Sequence, residues 1–145
     1  MNKIELKFSA CIENEPFVRT SIASFILPLN PDLDELCEVK TIVSEAVSNA
    51  IIHGYNYDVT KDVLLKANIT DNILEIIVQD YGIGIENIEK ALQSNFTTRT
   101  DQERAGMGFS IMQTLSDKFD IRSQKDIGTR ITITKNFKKH YEKVK

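Results

Sequence analysis

Three stretches of this sequence carry side chains that could do chemistry together. The first holds Glu45, Asn49 and His53, spaced i, i+4, i+8, which on a helix places them on one stripe. Beside them lie apolar Val43, Ala46, Val47, Ala50, Ile51 and Ile52, so the stripe taken alone reads as the solvated side of an amphipathic helix. The second is Asp80, which follows apolar Ile73–Gln79 and precedes Tyr81, Gly82, Ile83 and Gly84. A carboxylate there can accept a hydrogen bond from the amino group of a nucleobase. The glycines behind it let the backbone approach a flat ring closely. The third is Arg104–Phe109, with Gly106 and Gly108, which reads as the opening of a helix. Free N–H groups at a helix start suit phosphate oxygens, and Arg104 adds positive charge.

The better-known nucleotide motifs are missing. No G-x-x-x-x-G-K-[ST] run exists, so a P-loop is excluded. Neither glycine pair extends to G-x-G-x-x-G, because Asn87 and Ile111 stand where the third glycine belongs. All six glycines (Gly54, Gly82, Gly84, Gly106, Gly108 and Gly128) are expected at element ends or in loops. Gly54 and Gly128 read as ordinary turn residues.

The elements that must position these groups are legible from periodicity. Ile4, Leu6, Phe8 and Ala10 alternate with polar residues, a strand signature. A helix is expected from about Asn14 to Leu27, with Pro16 near its start. Asn30 and Pro31 read as the cap and first residue of a long helix with apolar Leu36, Val39, Val43, Ala46, Val47 and Ala50, stopped by Gly54. Val63–Ile69 and Ile73–Gln79 read as a hairpin about Thr70, Asp71 and Asn72. A polar stretch follows to Gly106, then a helix over Gly108–Asp117 and strands over Phe119–Ser123 and Thr129–Thr134. The pattern predicts a two-layer α+β sandwich: one domain over residues 1–145, helices on one face of a mainly antiparallel, mixed sheet.

Composition narrows the class. At 145 residues, 41% hydrophobic and 27% charged, the chain is long enough for one core and is neither disordered nor membrane-like. A net charge of −3 leaves no basic footprint for direct nucleic-acid binding. Lys135, Lys138, Lys139, Lys143 and Lys145 read as a solvated basic tail over about 135–145. Cys11 and Cys37 have neither metal spacing nor a C-x-x-C, as in a reduced compartment. No leader or membrane-length apolar run is visible, so a soluble cytoplasmic protein is expected.

The segments Glu45–Gly54, Asp80–Ile85 and Arg104–Phe109, with Gly128 and Thr129 as a fourth, weaker box, resemble in order and spacing the nucleotide-binding boxes of the GHKL superfamily. That superfamily, with its Bergerat ATP-binding fold, includes gyrase B, Hsp90, MutL and histidine kinases. The resemblance covers nearly the whole chain. It implies that Asn49 coordinates Mg²⁺, a suitable role for a neutral amide oxygen beside phosphate and water. It implies that Asp80 accepts from adenine with Thr129 in support, and that Gly82 and Gly84 flank the base. It further implies that Gly106, Met107 and Gly108 offer amides to the phosphates of ATP, and that residues of about 85–105 form a lid. Thr97 and Thr98 in that lid either touch phosphate or cap local turns. Arg104 acts on phosphate, on a lid carboxylate such as Glu103, or on both.

Glu45, one turn before Asn49, is then placed to orient or deprotonate an attacking hydroxyl as general base. The alternative for Glu45 is an ordinary surface glutamate. A complete sensor kinase is not expected from these 145 residues, whose histidines are His53 and His140, without a helical phosphoacceptor segment among them. A gyrase-type or MutL-type ATPase needs a transducer domain for which 145 residues leave no room. The run Val43–Tyr55, with Asn14–Arg19 upstream, is most similar to the small bacterial anti-sigma factors with protein-serine kinase activity, nearest the sporulation sigma-F branch, with the general-stress sigma-B branch as alternative. That likeness implies an ATP-bound homodimer that sequesters a sigma factor and phosphorylates a serine on an anti-sigma-factor antagonist. Arg19 matches an arginine of partner contact there; otherwise it is a solvated helix charge. A binding module that holds ATP without transfer, an isolated ATPase and an inactive scaffold are the competing functional classes.

Overall fold

The computed structural model describes residues 1–92 and 100–137, with residues 100–107 described by backbone alone. Strand β1 (Asn2–Ser9) is followed by helix α1 (Glu15–Phe25) and the long helix α2 (Leu33–Asn49). Strands β2 (Asp62–Thr70) and β3 (Ile73–Asp80), a short helix α3 (Ile88–Ala91), helix α4 (Thr100–Leu115), and strands β4 (Lys118–Gln124) and β5 (Gly128–Asn136) complete the order. The strands form one sheet in the order β1-β2-β3-β5-β4. The expected sheet was mainly antiparallel but mixed; all four pairings are antiparallel, from β1–β2 to β4–β5.

Alternation along the strands decides which face carries the helices. Val63, Leu65 and Ala67 of β2, Leu74, Ile76 and Val78 of β3, and Ile131 and Ile133 of β5 are buried on one face. They meet Val18 and Ile22 of α1, Val39, Ile42, Val43, Ala46 and Val47 of α2, and Phe109 and Met112 of α4. Each fully buried aliphatic or aromatic side chain contributes about 1.5–3 kcal/mol.

The start of α2 differs from expectation. Its cap is Asp32, not Asn30: the Asp32 carboxylate accepts from Glu35 N at 2.8 Å, while Asp32 N donates to the Glu35 carboxylate at 3.0 Å. This capping box satisfies two of the helix's unpaired donors at once, which the Asn30–Pro31 pair could not. Asn30 instead takes a left-handed conformation (φ 51°), where asparagine is tolerated. Two further corrections bear on function. Helix α4 begins at Thr100, so Gly106 and Gly108 lie inside it and not in a loop ahead of it. Lys135 belongs to β5 and is buried, so the basic tail cannot start there. No helix among the described residues is long and apolar enough to cross a membrane.

Candidate functional site

The site is built where α2, the end of β3 and the start of β5 meet. Helix α2 passes directly into a π-turn over Ala50–Gly54, in which Tyr55 N donates to Ala50 O, five residues back, at 3.0 Å. This wider turn changes the helical pitch after Asn49. It also brings Gly54 against β3. A Cβ on Gly54 would sit 2.7 Å from the Asp80 carboxyl carbon, and the Gly54 carbonyl accepts from Ile83 N at 3.0 Å. Gly54 is therefore a packing requirement of the site rather than the ordinary turn residue its sequence context suggested.

Asp80 is the buried acid at the centre, 2% exposed. One carboxylate oxygen accepts from Gly82 N at 2.9 Å. Burial pushes its pKa up to about 6, against the opposing pull of the Gly82 and Thr129 backbone N–H groups. Thr129 pairs with Asp80 across β3 and β5, is itself buried, and shares a hydrogen bond of 2.8 Å with Ser123. Gly128, with φ 145°, passes the Asp80 backbone so closely that a Cβ there would lie 2.2 Å from the Asp80 carbonyl oxygen. That position, like Gly54, is part of the construction of the acid's pocket.

The loop after Asp80 is held from three sides. A Cβ on Gly82 would fall 1.9 Å from the Gly54 carbonyl oxygen, and one on Gly84 (φ 70°) 2.0 Å from that of Gln124, so both positions demand glycine. Ser123 Oγ accepts from Ile85 N at 2.7 Å. Tyr55, 8% exposed, accepts from Tyr81 N at 2.7 Å and donates to Asp62 O at 2.8 Å. Burial raises the Tyr55 pKa, keeping its hydroxyl protonated and able to donate. Tyr55 and Ser123 were absent from the sequence-based site. The available signal was a polar-tipped aromatic directly after Gly54 and a hydroxyl in a strand facing the loop.

Asn49 is buried at the end of α2, one turn after Glu45. Glu45 lies one turn earlier, beneath α4: its Oε2 is 2.8 Å from where a Cβ on Gly108 would stand. Among the described residues no group of three His, Cys, Asp or Glu is placed to hold a metal ion.

Helix α4 bears on the expected phosphate loop. Thr100–Ala105 is a good helix-forming run with acids near its start, which extends the helix through both glycines at a cost of about 1 kcal/mol each. The N–H groups of Gly106, Met107 and Gly108 thus fall within the helix, not at its free end. Thr97 and Thr98 lie outside the described residues, as do the side chains of Arg104 and Met107. Arg19 sits apart on α1, its Nε 3.5 Å from Oε1 of buried Glu15.

With Glu45 and Asn49 one turn apart on α2 and Asp80 seated among glycines, relatives become informative. Residues 8–135 match the family described as histidine kinase-like ATPase domain. The anti-sigma F factor of Clostridium perfringens (strain ATCC 13124) is 48% identical over 134 residues, which cover 92% of this chain and 96% of that protein. The chain belongs to the anti-sigma F factor family, within the histidine kinase-like ATPases. Anti-sigma F factors of Geobacillus thermodenitrificans and Bacillus subtilis (strain 168) are 46% and 45% identical to this family member, each over 95% of its length and 94% of theirs. In fold, the anti-sigma F architecture found here resembles the RsbU and RsbW domains of Rv1364c from Mycobacterium tuberculosis, with a TM-score of 0.67 and 20% identity, over 94% of this chain and 32% of that one. The blue-light activated histidine kinase of Erythrobacter litoralis EL346 gives 0.57 and 18%, over 77% and 33%.

Proposed function

We propose that this anti-sigma factor is an ATP-dependent protein-serine kinase that holds a sigma factor, sigma-F by the likeness of its relatives, and phosphorylates a serine on that factor's antagonist. The observation that carries the reading is Glu45, a half-buried carboxylate on α2 one turn from Asn49 and directly under Gly108. A general base must stand within reach of the hydroxyl it activates and near the phosphoryl group being transferred.

The residues present fit ATP and Mg²⁺. Asp80 offers a buried acceptor for an adenine amino group, with Thr129 and Ser123 fixing its surroundings. Gly54 and Gly128 let the backbone close directly around Asp80, and Gly82 lets the following loop pack on Gly54, so the acceptor is held in place. The Asn49 carboxamide would supply a hard oxygen for Mg²⁺, whose chemistry is to neutralise phosphate charge during transfer. Glu45 would then take the serine proton as the serine oxygen bonds to the γ-phosphorus and ADP leaves. Gly106, Met107 and Gly108 can give amides to phosphate only if the first turns of α4 release them from the helical ladder; phosphate contact by Arg104, Thr97 and Thr98 belongs to the same proposal. Partner capture by Arg19, a homodimer and a cytoplasmic setting belong to the same proposal.

The test is transfer of label from Mg²⁺ and γ-labelled ATP to a purified antagonist. Label on an antagonist serine, lost on Glu45→Ala while ATP binding persists, is expected. Sigma-factor capture with bound ATP and no label would instead identify a binding module.

A further inference from the structure

Lys135 is buried in β5, and its ammonium joins two helices. Nζ donates to Glu38 Oε2 on α2 at 2.6 Å and to the Leu115 carbonyl, the last residue of α4, at 2.8 Å. A helix leaves its final carbonyls without partners, and a lysine that fills one fixes that end of the helix in space. Neighbouring ties hold the same corner: Asp117 N donates to Thr134 O at 2.9 Å, and Asn136 N to the Asp117 carboxylate at 2.6 Å. Lys135 adds what those two do not supply, a bond to α2.

We propose that Lys135 is a positioning residue for phosphoryl transfer, clamping α4 to α2 so that Gly108 stays in place over Glu45. Glu38 and Glu45 are seven residues apart on α2, and Gly108 and Leu115 seven apart on α4. Seven residues is close to two helical turns, roughly 10 Å of rise, so clamp and carboxylate fall on the same face of each helix. The helices meet in opposite directions: Glu38 lies with Leu115 at one end, Glu45 with Gly108 at the other. Between these points the contact is apolar, with Val39, Val43, Ala46, Phe109 and Met112 in the core. Apolar packing is non-directional and tolerates sliding; two charge-assisted hydrogen bonds from one ammonium fix the register. A shift of about 1 Å at a reacting group can cost on the order of 100-fold in rate.

The proposal rests on the kinase reading, and its test separates the two. The variants are Lys135→Met, Lys135→Arg and the double Lys135→Met/Glu38→Met, which leaves neither charge unpaired and so protects folding. Mg-ATP affinity, single-turnover transfer to the antagonist, and amide hydrogen exchange over Gly108–Leu115 are measured on each. For the Met variants we expect transfer slowed at least ~10-fold with ATP affinity within ~3-fold of the parent, the split that marks lost alignment rather than lost binding. Exchange over Gly108–Leu115 should rise, and Lys135→Arg should restore both readouts. A double variant that transfers at the parental rate with parental exchange overturns the proposal, whatever its melting temperature. If the parent transfers nothing, the kinase reading fails on its own, and exchange still decides the clamp: unchanged protection in Lys135→Met refutes it.

Discussion

Glu45 Oε2 lies 2.8 Å from the point where a Cβ on Gly108 would stand, so α4 crosses the carboxylate with only a glycine hydrogen between them. Gly108→Ala therefore puts a methyl group against a side-chain tip, which can swing aside. The fold should not suffer, since alanine in a helix interior is favoured over glycine by about 1 kcal/mol. We expect an equal or higher melting temperature together with phosphoryl transfer reduced ~10-fold or more, because Glu45 is displaced from its reach. Parental transfer in a stabilised Gly108→Ala protein would show that the close approach has no catalytic meaning.

Asp80 should make stability and binding respond to pH in opposite senses. Its folded pKa of about 6 lies above its ordinary value of 3.8, so the native state binds the proton more tightly than the unfolded chain. Its contribution to stability is therefore fully present below about pH 4 and is lost as pH rises to and beyond 6. Asp80→Asn should stabilise the nucleotide-free protein at pH 7.5, by up to about 3 kcal/mol for two pKa units, with the gain vanishing toward pH 4. ATP affinity, which needs the ionised acceptor, should fall about tenfold between pH 7.5 and 5 in the parent and be weakened in the variant. Denaturant melts and titrations across pH check both; ATP and GTP binding unchanged by the substitution would refute the adenine role.

Much of this arrangement was legible before any coordinates. The positions of Asp80 after an apolar strand, and of Glu45 and Asn49 one turn apart on a helix, are readable from periodicity, whereas their roles come from the resemblance of the boxes they stand in, since the helical stripe alone reads as a solvated face. Gly54 and Gly128 looked like punctuation; what they do depends on Asp80, 26 and 48 residues away, and no local pattern carries that. Tyr55 was hidden for the same reason, since its hydroxyl serves Tyr81 and Asp62. The π-turn over Ala50–Gly54 escaped because periodicity assumes a constant pitch. Lys135 was misplaced because a lysine ahead of a basic run reads as solvated, and only the facing Glu38 and Leu115 carbonyl make its burial tolerable.

The glycines at the site should separate into two grades. Gly54→Ala meets a carboxyl group, whereas Gly82→Ala meets the Gly54 carbonyl oxygen at 1.9 Å and must move backbone. Gly82→Ala should thus lower the melting temperature more than Gly54→Ala, and also disrupt the Ile83 N to Gly54 O bond. Gly54→Ala should fold and lose nucleotide affinity, because Asp80 is pushed from its seat. Thermal melts with and without ATP distinguish the two; equal stability of both variants would contradict this packing.

Asp32→Ala serves as a control far from the chemistry. Loss of the capping box should cost about 1 kcal/mol in denaturant unfolding. Transfer per folded molecule should match the parent, and a loss there would mean that the start of α2 communicates with Glu45.

The most direct measurement is single-turnover transfer from γ-labelled ATP, with Mg²⁺, to the antagonist by the parent, Glu45→Gln and Glu45→Ala, alongside their ATP affinities. The account predicts labelled antagonist serine with the parent, ATP affinity within ~3-fold in both variants, and transfer lowered ~100-fold or more in each, as expected for a lost general base. Full labelling by Glu45→Ala would contradict it.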